Sequence, residues 1–493
     1  MADLTIVAPL RIEALAIGGE VTVIGMGKAK AEAAGARLAA SSSRSPLALA
    51  GVAGGLDPEL RVGQLVVATE VRTIDGSLAR ALPGAELIAD DLRRAGLDVR
   101  TGPLVSSPRI VRSSRQRTEL AATGAVAVDM EAAWLVGQLP DRPVAVVRSI
   151  SDTSQQGMMM LSGLRAMATL MRVRLSLERW SAAVGSHDVL LAAPRSFCAG
   201  VERAIETVER AIERFGAPVY VRRQIVHNAH VVADLERKGA IFVTELDEVP
   251  PSAVVVLAAH GVSPEVRSEA TRRDDLRVID ATCPLVAKVH HEARRYTEQN
   301  YRIVLIGHRG HEEIAGTIGE APDRITLVER PEDVDALHVE PGEKVAYLTQ
   351  TTLATDETAT IVAALRRRFP DLSGPGSDDI CYATQNRQDA VRALAGRCDL
   401  ILVVGSANSS NTARLVEVVR RQGCRAELIE DESQLRLAWF DGVRRIGVTA
   451  GASAPEWLVQ GVVSALGQLG PTDVSEYRIT EEHAHFSLPQ QVR

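Results

Sequence analysis

The chain has 493 residues, of which 46% are hydrophobic and 24% are charged, and its formal net charge is −7. These proportions are typical of a soluble globular protein. The mild acidity and the lack of a dense basic stripe give no support to nucleic-acid binding. No apolar run reaches the ~18 residues that a membrane helix needs, and the first residues lack the pattern of a secretory signal. We therefore expect a cytoplasmic protein with no integral membrane segment.

Short apolar runs alternate with amphipathic runs from the first strand onward, as in VTVIGMG followed by KAKAEAAGARLAA. This alternation predicts α/β units with parallel strands. The segment GMGKAK lacks the third glycine of a dinucleotide fingerprint, which favours a simple strand–turn–helix. Further along come GVAGGLDP, then VDMEAA with Glu131 at a helix start, then SISDTS with Asp152 at a strand end. A lone acid at a helix start is more often a helix-end charge than a catalytic group.

The alternation weakens at ERWSAAVGSHD, residues 178 to 188, and the strand DVLLAAP begins a new series. We place a domain boundary here and predict three parts, namely residues 1–183, residues 187–470 and a C-terminal extension over residues 471–493. In the second part, strand-like runs lead into three cysteines: VLLAAPRSFC, RVIDATC and the weaker SDDICYAT. Their wide spacing indicates three α/β lobes of similar size.

The five cysteines are an odd, sparse set in a long chain without a secretory signal, which argues against a disulfide framework. They include no CxxC pair, which argues against a zinc ribbon. We interpret Cys398 and Cys424 as small buried hydrophobes. Cys198, Cys283 and Cys381 lie in turns beyond strands, where the ligand sites of open α/β sheets are found. Three thiolates without a fourth suit an iron–sulfur cluster with one open iron, which can act as a Lewis acid. A structural metal held by the same three cysteines is the alternative.

Polar side chains follow most of the other apolar runs of this part. A single loop of this kind is more often a helix cap or a turn, but capping does not explain the whole series together with three cysteines. Hydroxyl, amide and imidazole groups at helix N-termini suit an anion such as a diphosphate. The loops contribute His227, His230, His260, His308, His311, Glu313, Thr351, Thr352, Ser409, Ser410, Asn411 and Ser453.

A series of segments in this part resembles the signature segments of the 4-hydroxy-3-methylbut-2-enyl diphosphate reductase family: FCAGVERA, IVHN, AHGVSP, DATCPLV, GHRGHEE, TQTTL, ICYATQNRQ, VVGSANSSNT and TAGASAPEW. They occur in the family's order over residues 187–470. Glu312 replaces a common proline and leaves its neighbours His311 and Glu313 in place. The resemblance implies three lobes around a [4Fe-4S] cluster and the last step of the non-mevalonate isoprenoid pathway. That step removes a hydroxyl group reductively and yields isopentenyl and dimethylallyl diphosphate.

The same resemblance implies a role for each site residue. The cluster ligands are Cys198, Cys283 and Cys381, and the fourth iron binds the substrate hydroxyl. The diphosphate pocket consists of His227, His260, Ser409, Ser410, Asn411 and Ser453, with His311 as a third substrate-site histidine. Glu313 matches the proton donor, and Thr351 and Thr352 match the proton relay. Because this part has no flavin or nicotinamide motif, we expect a ferredoxin or a flavodoxin to supply the electrons.

The N-terminal segments together resemble the purine nucleoside phosphorylase and nucleosidase superfamily, with the hopanoid-associated phosphorylases as the nearest subgroup. The resemblance implies that Met130 and Glu131 bind ribose, that Asp152 protonates the purine, and that Glu13 in PLRIEALAI stands near the ribose or the attacking water. It leaves two hypotheses open, an active nucleoside-cleaving domain and an inactive structural one. For the whole chain, the alternative to an enzyme is a non-catalytic iron–sulfur sensor that binds an isoprenoid diphosphate.

Overall fold

The computed structural model describes residues 4–153 and 160–493. The chain folds into two compact units. Unit 1 consists of Met1–Asp188, Glu432–Arg444 and Val462–Asp473, and unit 2 consists of Val189–Asp431, Arg445–Gly461 and Val474–Arg493. The domain limits at residues 183, 187 and 470 stay predictions. None of the described helices is long and apolar enough to cross a membrane.

Unit 1 alternates strands and helices in the α/β manner that the sequence predicts. Its elements are β1 (Thr5–Ala8), α1 (Arg11–Ile17), β2 (Thr22–Val23), α2 (Lys28–Ala40), β3 (Leu47–Gly55), β4 (Leu65–Arg72), β5 (Leu78–Ala81), α3 (Ala85–Arg94), β6 (Val99–Ser106), α4 (Ser114–Ala121), β7 (Ala127–Asp129), α5 (Ala132–Val136), β8 (Val144–Asp152), α6 (Met160–Leu170) and α7 (Arg174–Ala183).

These strands form one eight-stranded sheet in the order β2-β1-β3-β7-β6-β4-β5, with β8 paired to both β3 and β4. The central strands β3 and β8 run parallel, in register from Leu47 opposite Val144. They are rich in Ala, Val and Leu and almost wholly buried, as expected for strands covered on both faces. Because β3 and β8 are parallel, their carboxyl ends, at Gly55 and Asp152, lie at the same edge of the sheet.

Unit 2 is built from a longer series of the same kind. The series, which ends in segments that straddle the two units, runs β9 (His187–Ala193), α8 (Ala199–Phe215), β10 (Val219–Arg222), α9 (Ala229–Lys238), β11 (Ala240–Val243), β12 (Val254–Leu257), α10 (Pro264–Arg272), β13 (Arg277–Asp280), α11 (Pro284–Glu298), β14 (Tyr301–Ile306), α12 (Glu312–Glu320), β15 (Ile325–Val328), β16 (Lys344–Thr349), α13 (Thr355–Arg368), α14 (Tyr382–Ala395), β17 (Leu400–Val404), α15 (Ser410–Arg421), β18 (Arg425–Ile429), β19 (Arg445–Ala450), α16 (Glu456–Gly467) and β20 (Thr472–Arg478).

The strands of this series form three separate sheets, which confirms the prediction of three lobes. One sheet has four strands in the order β11-β10-β12-β13, and one has three strands in the order β15-β14-β16. Both are parallel throughout. The third sheet has the order β18-β17-β19-β9-β20, so strands from the beginning and the end of the series lie side by side.

Each of the three predicted cysteines caps the N-terminus of a helix. Cys198 precedes α8, Cys283 precedes α11 and Cys381 precedes α14. The weak strand expected before Cys381 is not formed, because SDDI lies in bends and turns. Two of its residues, Asp378 and Asp379, are acidic, and acidic residues are disfavoured in strands. The cysteine therefore depends on the turn and the helix cap for its position, and not on a strand end.

Residues 474–493, which make up most of the predicted C-terminal extension, belong to unit 2. The strand β20 joins the five-stranded sheet, and Val492 is buried in the core that also contains Ala204 and Val208 of α8. Glu482 accepts a hydrogen bond of 2.9 Å from the guanidinium of Arg387, which is fully buried. The last residues are therefore integrated into unit 2.

Two leucines of α7 test how this helix packs in unit 1. Leu177 is fully buried, whereas Leu175 is 56% exposed on the same helix. We expect Leu177→Ala to destabilise unit 1 by about 2–5 kcal/mol because it leaves a cavity. The matched change Leu175→Ala should stay within about 0.5 kcal/mol. Calorimetric unfolding of the full chain measures both, and equal losses would contradict the packing described here.

Candidate active site

A cavity of about 110 Å³ in unit 2 is lined by every residue to which the resemblance assigns a role in the C-terminal part. They come from loops and helix N-termini of all three lobes. The predicted residues are Cys198, His227, His260, Cys283, His311, Glu313, Thr351, Thr352, Cys381, Ser409, Ser410, Asn411 and Ser453. His230 and His308 do not line it. His230 pairs instead with Asp431, at 3.0 Å.

The three thiols face this cavity from the ends of α8, α11 and α14. A Cβ on Gly200 would stand 2.7 Å from the sulfur of Cys283 and 3.8 Å from that of Cys198, so only glycine allows this approach. Burial raises the pKa of the Cys283 thiol to about 11 and that of Cys381 to about 12. Burial therefore disfavours the charged form of both thiols.

These thiols have the donor chemistry of an iron–sulfur cluster site. The three cysteines line one cavity, and thiolates are the soft donors that iron–sulfur clusters take. Thr384 lies 3.0 Å from the sulfur of Cys381 and its backbone N–H lies 3.3 Å from it, which provides the hydrogen bonding typical around cluster sulfurs.

Three imidazoles form a compact group on the wall of the cavity. The rings of His227 and His260 stack with centroids 4.1 Å apart, and His311 meets both edge-on. Burial lowers the pKa of all three, and that of His311 falls to about 4. Nε2 of His227 and of His260 has no hydrogen-bond partner within the part of the chain that the structure describes. Both atoms are therefore available to a ligand, and an anion would favour the protonated rings.

Glu313 is buried beside Thr351 at the edge of the cavity. Its carboxylate accepts hydrogen bonds from the backbone N–H of Thr351 at 2.6 Å and from the hydroxyl of Thr351 at 3.0 Å. Burial raises the pKa of Glu313 to about 7, although these two hydrogen bonds oppose the shift. A carboxyl with a pKa near neutrality can both give and take a proton under physiological conditions.

The hydroxyl groups of the cavity are joined through Gln350, which the sequence interpretation missed. Gln350 donates to Thr352 at 2.9 Å and to Ser410 at 3.3 Å, and Thr352 donates to Ser410 at 3.0 Å. Its carbonyl oxygen accepts the backbone N–H of His308 at 3.1 Å. Gln350 lies inside the TQTTL segment, so its position next to the two threonines was the available signal. Phe486 of the C-terminal segment also lines the cavity and had no such signal.

A second cavity, of about 390 Å³, lies in unit 1 and contains all the residues predicted there. Glu13, Met130, Glu131 and Asp152 line it together with Asp129. No aromatic side chain is among its lining residues in the described part of unit 1.

Arg148, which the sequence interpretation missed, pairs with two of the carboxyl groups that line this cavity. It is fully buried in β8 and forms ion pairs with Asp129 and, at 3.5 Å, with Glu131. Burial raises the pKa of Glu131 to about 7, and the neighbouring charge of Asp129 adds to the shift. Burial also raises the pKa of Glu13. The guanidinium of Arg148 is therefore a shared cation for the buried carboxyl groups of Asp129 and Glu131.

Asp152 is held at the other end by a second unpredicted arginine. Arg117 of α4 pairs with one carboxylate oxygen of Asp152, and the hydroxyl of Ser151 donates to the other at 2.8 Å. Arg117 also donates to the carbonyl of Gly55 at 2.8 Å, so it ties the ends of β3 and β8 together. A residue expected to protonate a purine is thus engaged in a buried ion pair.

Unit 2 is an α/β protein whose three sheets surround a cavity lined by three thiols. Residues 189–467 match the family model described as LytB protein. Since this match covers more than half of the chain, the chain belongs to the LytB protein family. Residues 15–173 match the model described as Phosphorylase superfamily, which confirms the predicted fusion of two family domains.

Named relatives agree with this assignment. The 4-hydroxy-3-methylbut-2-enyl diphosphate reductase of Cutibacterium acnes is 58% identical over 304 residues, covering 62% of this chain and 94% of the relative. The reductase of the same name from Leifsonia xyli is 56% identical over 310 residues, or 63% of this chain and 92% of the relative. The solved structure of the E-1-hydroxy-2-methyl-but-2-enyl-4-diphosphate reductase from Plasmodium falciparum matches with a TM-score of 0.61 at 39% identity, over 62% of this chain and 97% of that one.

The ion pair between Arg117 and Asp152 can be tested by removing one partner. Arg117→Met leaves a buried carboxylate without its cation, and we expect a loss of about 3–5 kcal/mol in the unfolding free energy of unit 1. The control is Arg115→Met on the same helix, since the side chain of Arg115 is 90% exposed, and its loss should stay below about 1 kcal/mol. Denaturant unfolding checks both, and an unchanged stability of Arg117→Met would contradict the pairing.

Proposed function

We propose that unit 2 catalyses the reductive dehydroxylation of (E)-4-hydroxy-3-methylbut-2-enyl diphosphate to isopentenyl and dimethylallyl diphosphate. The observation that carries this proposal is the convergence of three thiols, three imidazoles and Glu313 on one cavity. Relatives that share 58% and 56% identity bear the name of this reductase. The reaction takes up two electrons and two protons, breaks one C–O bond and releases one water.

The diphosphate would bind at the imidazoles and at the N-terminus of α15. Ser409 caps this helix of 12 residues, and Ser410 and Asn411 begin it, so the backbone dipole favours a negative charge here. Ser453 stands beside Ser409, with 3.4 Å between their hydroxyl oxygens. Protonation of the histidines on binding would add charge-assisted hydrogen bonds. Together these groups would orient the diphosphate and leave the alcohol end toward the thiols.

The cofactor in this proposal is a [4Fe-4S] cluster held by Cys198, Cys283 and Cys381. When bound, it supplies a Lewis acid for the hydroxyl oxygen and passes on two electrons. The desolvated thiols and the hydrogen bonds from Thr384 to Cys381 support this assignment. We further propose a ferredoxin or a flavodoxin as the electron donor, because this part of the sequence has no flavin or nicotinamide motif.

Glu313 would deliver the proton that turns the departing hydroxyl into water. Its carboxyl accepts a hydrogen bond from the hydroxyl of Thr351, and the side chains of Gln350, Thr352 and Ser410 form a hydrogen-bonded series that begins one residue earlier in the same segment. A pKa of about 7 keeps a large fraction of Glu313 protonated at neutral pH. Protonation of a leaving group by a positioned acid contributes typically 10²–10⁴-fold to a rate.

We propose that unit 1 cleaves the N-glycosidic bond of a purine nucleoside in its own cavity. Met130 and Glu131 would bind the ribose, Asp152 would meet the base, and Glu13 would stand near the attacking group. The support is a cavity of about 390 Å³ that contains these residues and carboxyls with raised pKa values. An inactive structural domain would show neither turnover nor nucleoside binding while folded.

Replacing one thiol tests the cluster and the reductase together. Cys198→Ser, prepared anaerobically, should lose bound iron and sulfide, the EPR signal of the reduced protein and product formation. Cys424→Ser is the matched control, because Cys424 lies outside the cavity and its thiol donates to the carbonyl of Cys398 at 3.3 Å. A Cys198→Ser protein with a full cluster and full turnover would remove Cys198 from the ligand set. A full cluster in wild-type protein without product would favour the sensor hypothesis.

Glu313→Gln tests the proton donor. We expect kcat to fall by ~10²–10⁴-fold, while cluster content and substrate affinity stay close to those of the wild type. In the wild type, kcat should fall as the pH rises through about 7, because the acid form of Glu313 is lost above its pKa. The adjacent Glu312→Gln is the control, since Glu312 pairs with Arg223 and does not line the cavity. Full activity of Glu313→Gln would exclude it from the mechanism.

A further inference from the structure

A fully buried histidine of α11 has no role in the reaction proposed for unit 2. His290 is 0% exposed and does not line the cavity with the three thiols. Its Nδ1 lies 2.7 Å from Oε1 of Glu320, the last residue of α12, and the two side chains are 1% and 2% exposed. Polar groups away from solvent are tolerated only when they satisfy one another. This pair therefore joins α11 to α12 at one defined point.

The carboxyl group of Glu320 is ionised, which fixes the direction of the hydrogen bond. Burial favours its neutral form, but the hydrogen bonds from His290 and Arg294 outweigh burial and lower its pKa to about 2. Arg294 lies 2.9 Å from Oε2, and Arg267 lies 3.1 Å from Oε1. Because an ionised carboxylate can only accept, Nδ1 of His290 is the donor. The imidazole is thus held by a charge-assisted hydrogen bond.

The other edge of the imidazole packs against two glycines. A Cβ on Gly261 would stand 3.1 Å from Nε2 of His290, and a Cβ on Gly316 would stand 3.2 Å from its Cε1. Nε2 has no hydrogen-bond partner in the described part of the chain, so this edge acts by packing. Gly316 lies in α12, and Gly261 directly follows His260. The ring therefore determines how closely α12 approaches the loop that carries His260.

Each segment that meets at His290 carries a residue of the cavity. Helix α11 is capped by Cys283, the loop beside it carries His260, and α12 is capped by His311 and contains Glu313. A catalytic group that is misplaced by about 1 Å through a change far from the chemistry can cost ~10²-fold in rate. His290 stands behind the cavity at the point where the relative positions of these groups are decided.

We propose that His290, held by Glu320, is a positioning residue of the reductase that sets Glu313 relative to His260. The inference rests on the proposed reductase activity. His290 acts through the packing of α12 on the loop of His260 and does not touch the substrate. Without the hydrogen bond, the carboxylate of Glu320 is free to turn toward its two arginines, whose side chains are 33% and 43% exposed. Glu313 would then meet the departing hydroxyl in a poorer geometry.

The experiment measures turnover per cluster in the full-length holoprotein, with iron and sulfide counted in each preparation and reduced methyl viologen as the electron source. His290→Leu keeps a buried side chain of similar volume and removes the hydrogen bond. We expect kcat per cluster to fall ~10–10²-fold, while cluster content and the EPR signal of the reduced protein stay as in the wild type. The matched control is His291→Leu at the next position of α11, where the side chain is exposed, and it should leave kcat unchanged.

Two changes at position 320 separate positioning from a merely structural role. Glu320→Gln keeps an oxygen that accepts the hydrogen bond from Nδ1 of His290 and should retain most of the turnover per cluster. Glu320→Leu removes that acceptor and should lose turnover as His290→Leu does. The loss should appear in kcat and not only in KM, because Glu313 acts in the chemical step. A structural role alone would lower stability and cluster content and leave kcat per cluster unchanged.

The outcomes distinguish the inference from the proposed function. Unchanged kcat per cluster in folded His290→Leu protein would overturn the inference and leave the reductase activity standing. Equal losses in Glu320→Gln and Glu320→Leu would also overturn it, because the hydrogen bond would then not account for the effect. If His290→Leu does not fold, the comparison at position 320 decides. Wild-type protein that holds a full cluster and forms no product would overturn the proposed function, and the inference with it.

Discussion

The geometry of the thiol-lined cavity depends on the buried guanidinium of Arg387. This side chain is fully buried in α14, the helix that Cys381 caps. It donates to the carbonyls of Ser196 and Phe197 at 2.8 and 3.2 Å, in the turn just before Cys198. It also donates to the carbonyl of Ala383 at 3.0 Å and to the carboxylate of Glu482 at 2.9 Å. A buried cation is tolerated only when its donors are satisfied, so the two cysteine-bearing segments must keep this arrangement.

Both cavities contain buried titratable side chains and a helix N-terminus, but they differ in whether their hydrogen-bond donors are available to an anion. In unit 2, imidazoles, hydroxyls and a helix N-terminus leave donors available, and burial keeps the rings neutral until an anion arrives. In unit 1, the chain's own carboxylates occupy the backbone donors. Burial raises carboxyl pKa values in both, to about 7 for Glu313 and for Glu131. The same desolvation therefore raises the pKa of a carboxyl group beside the proposed diphosphate pocket of unit 2 and of one on the cavity wall of unit 1.

The sequence predicted those features that depend on local pattern. Alternating apolar and amphipathic runs predict parallel α/β units, and the carboxyl ends of parallel strands bring their following loops together, which is why the predicted residues share two cavities. The features it missed depend on partners far away in the chain. In the sequence, nothing distinguishes Arg117 from an exposed arginine on a helix. Its partner Asp152 lies 35 positions later in the chain. Phe486 follows no strand or motif, and the strand expected before Cys381 was wrong because a cap and a turn suffice to position a thiol.

The tail of unit 2 has a consequence for the order in which the protein matures. Glu482 neutralises Arg387, and Phe486 completes the wall of the cavity, yet both are translated after every other residue of that site. Domains generally fold as units during synthesis, so the cavity of unit 2 can be completed only after residue 486 has left the ribosome.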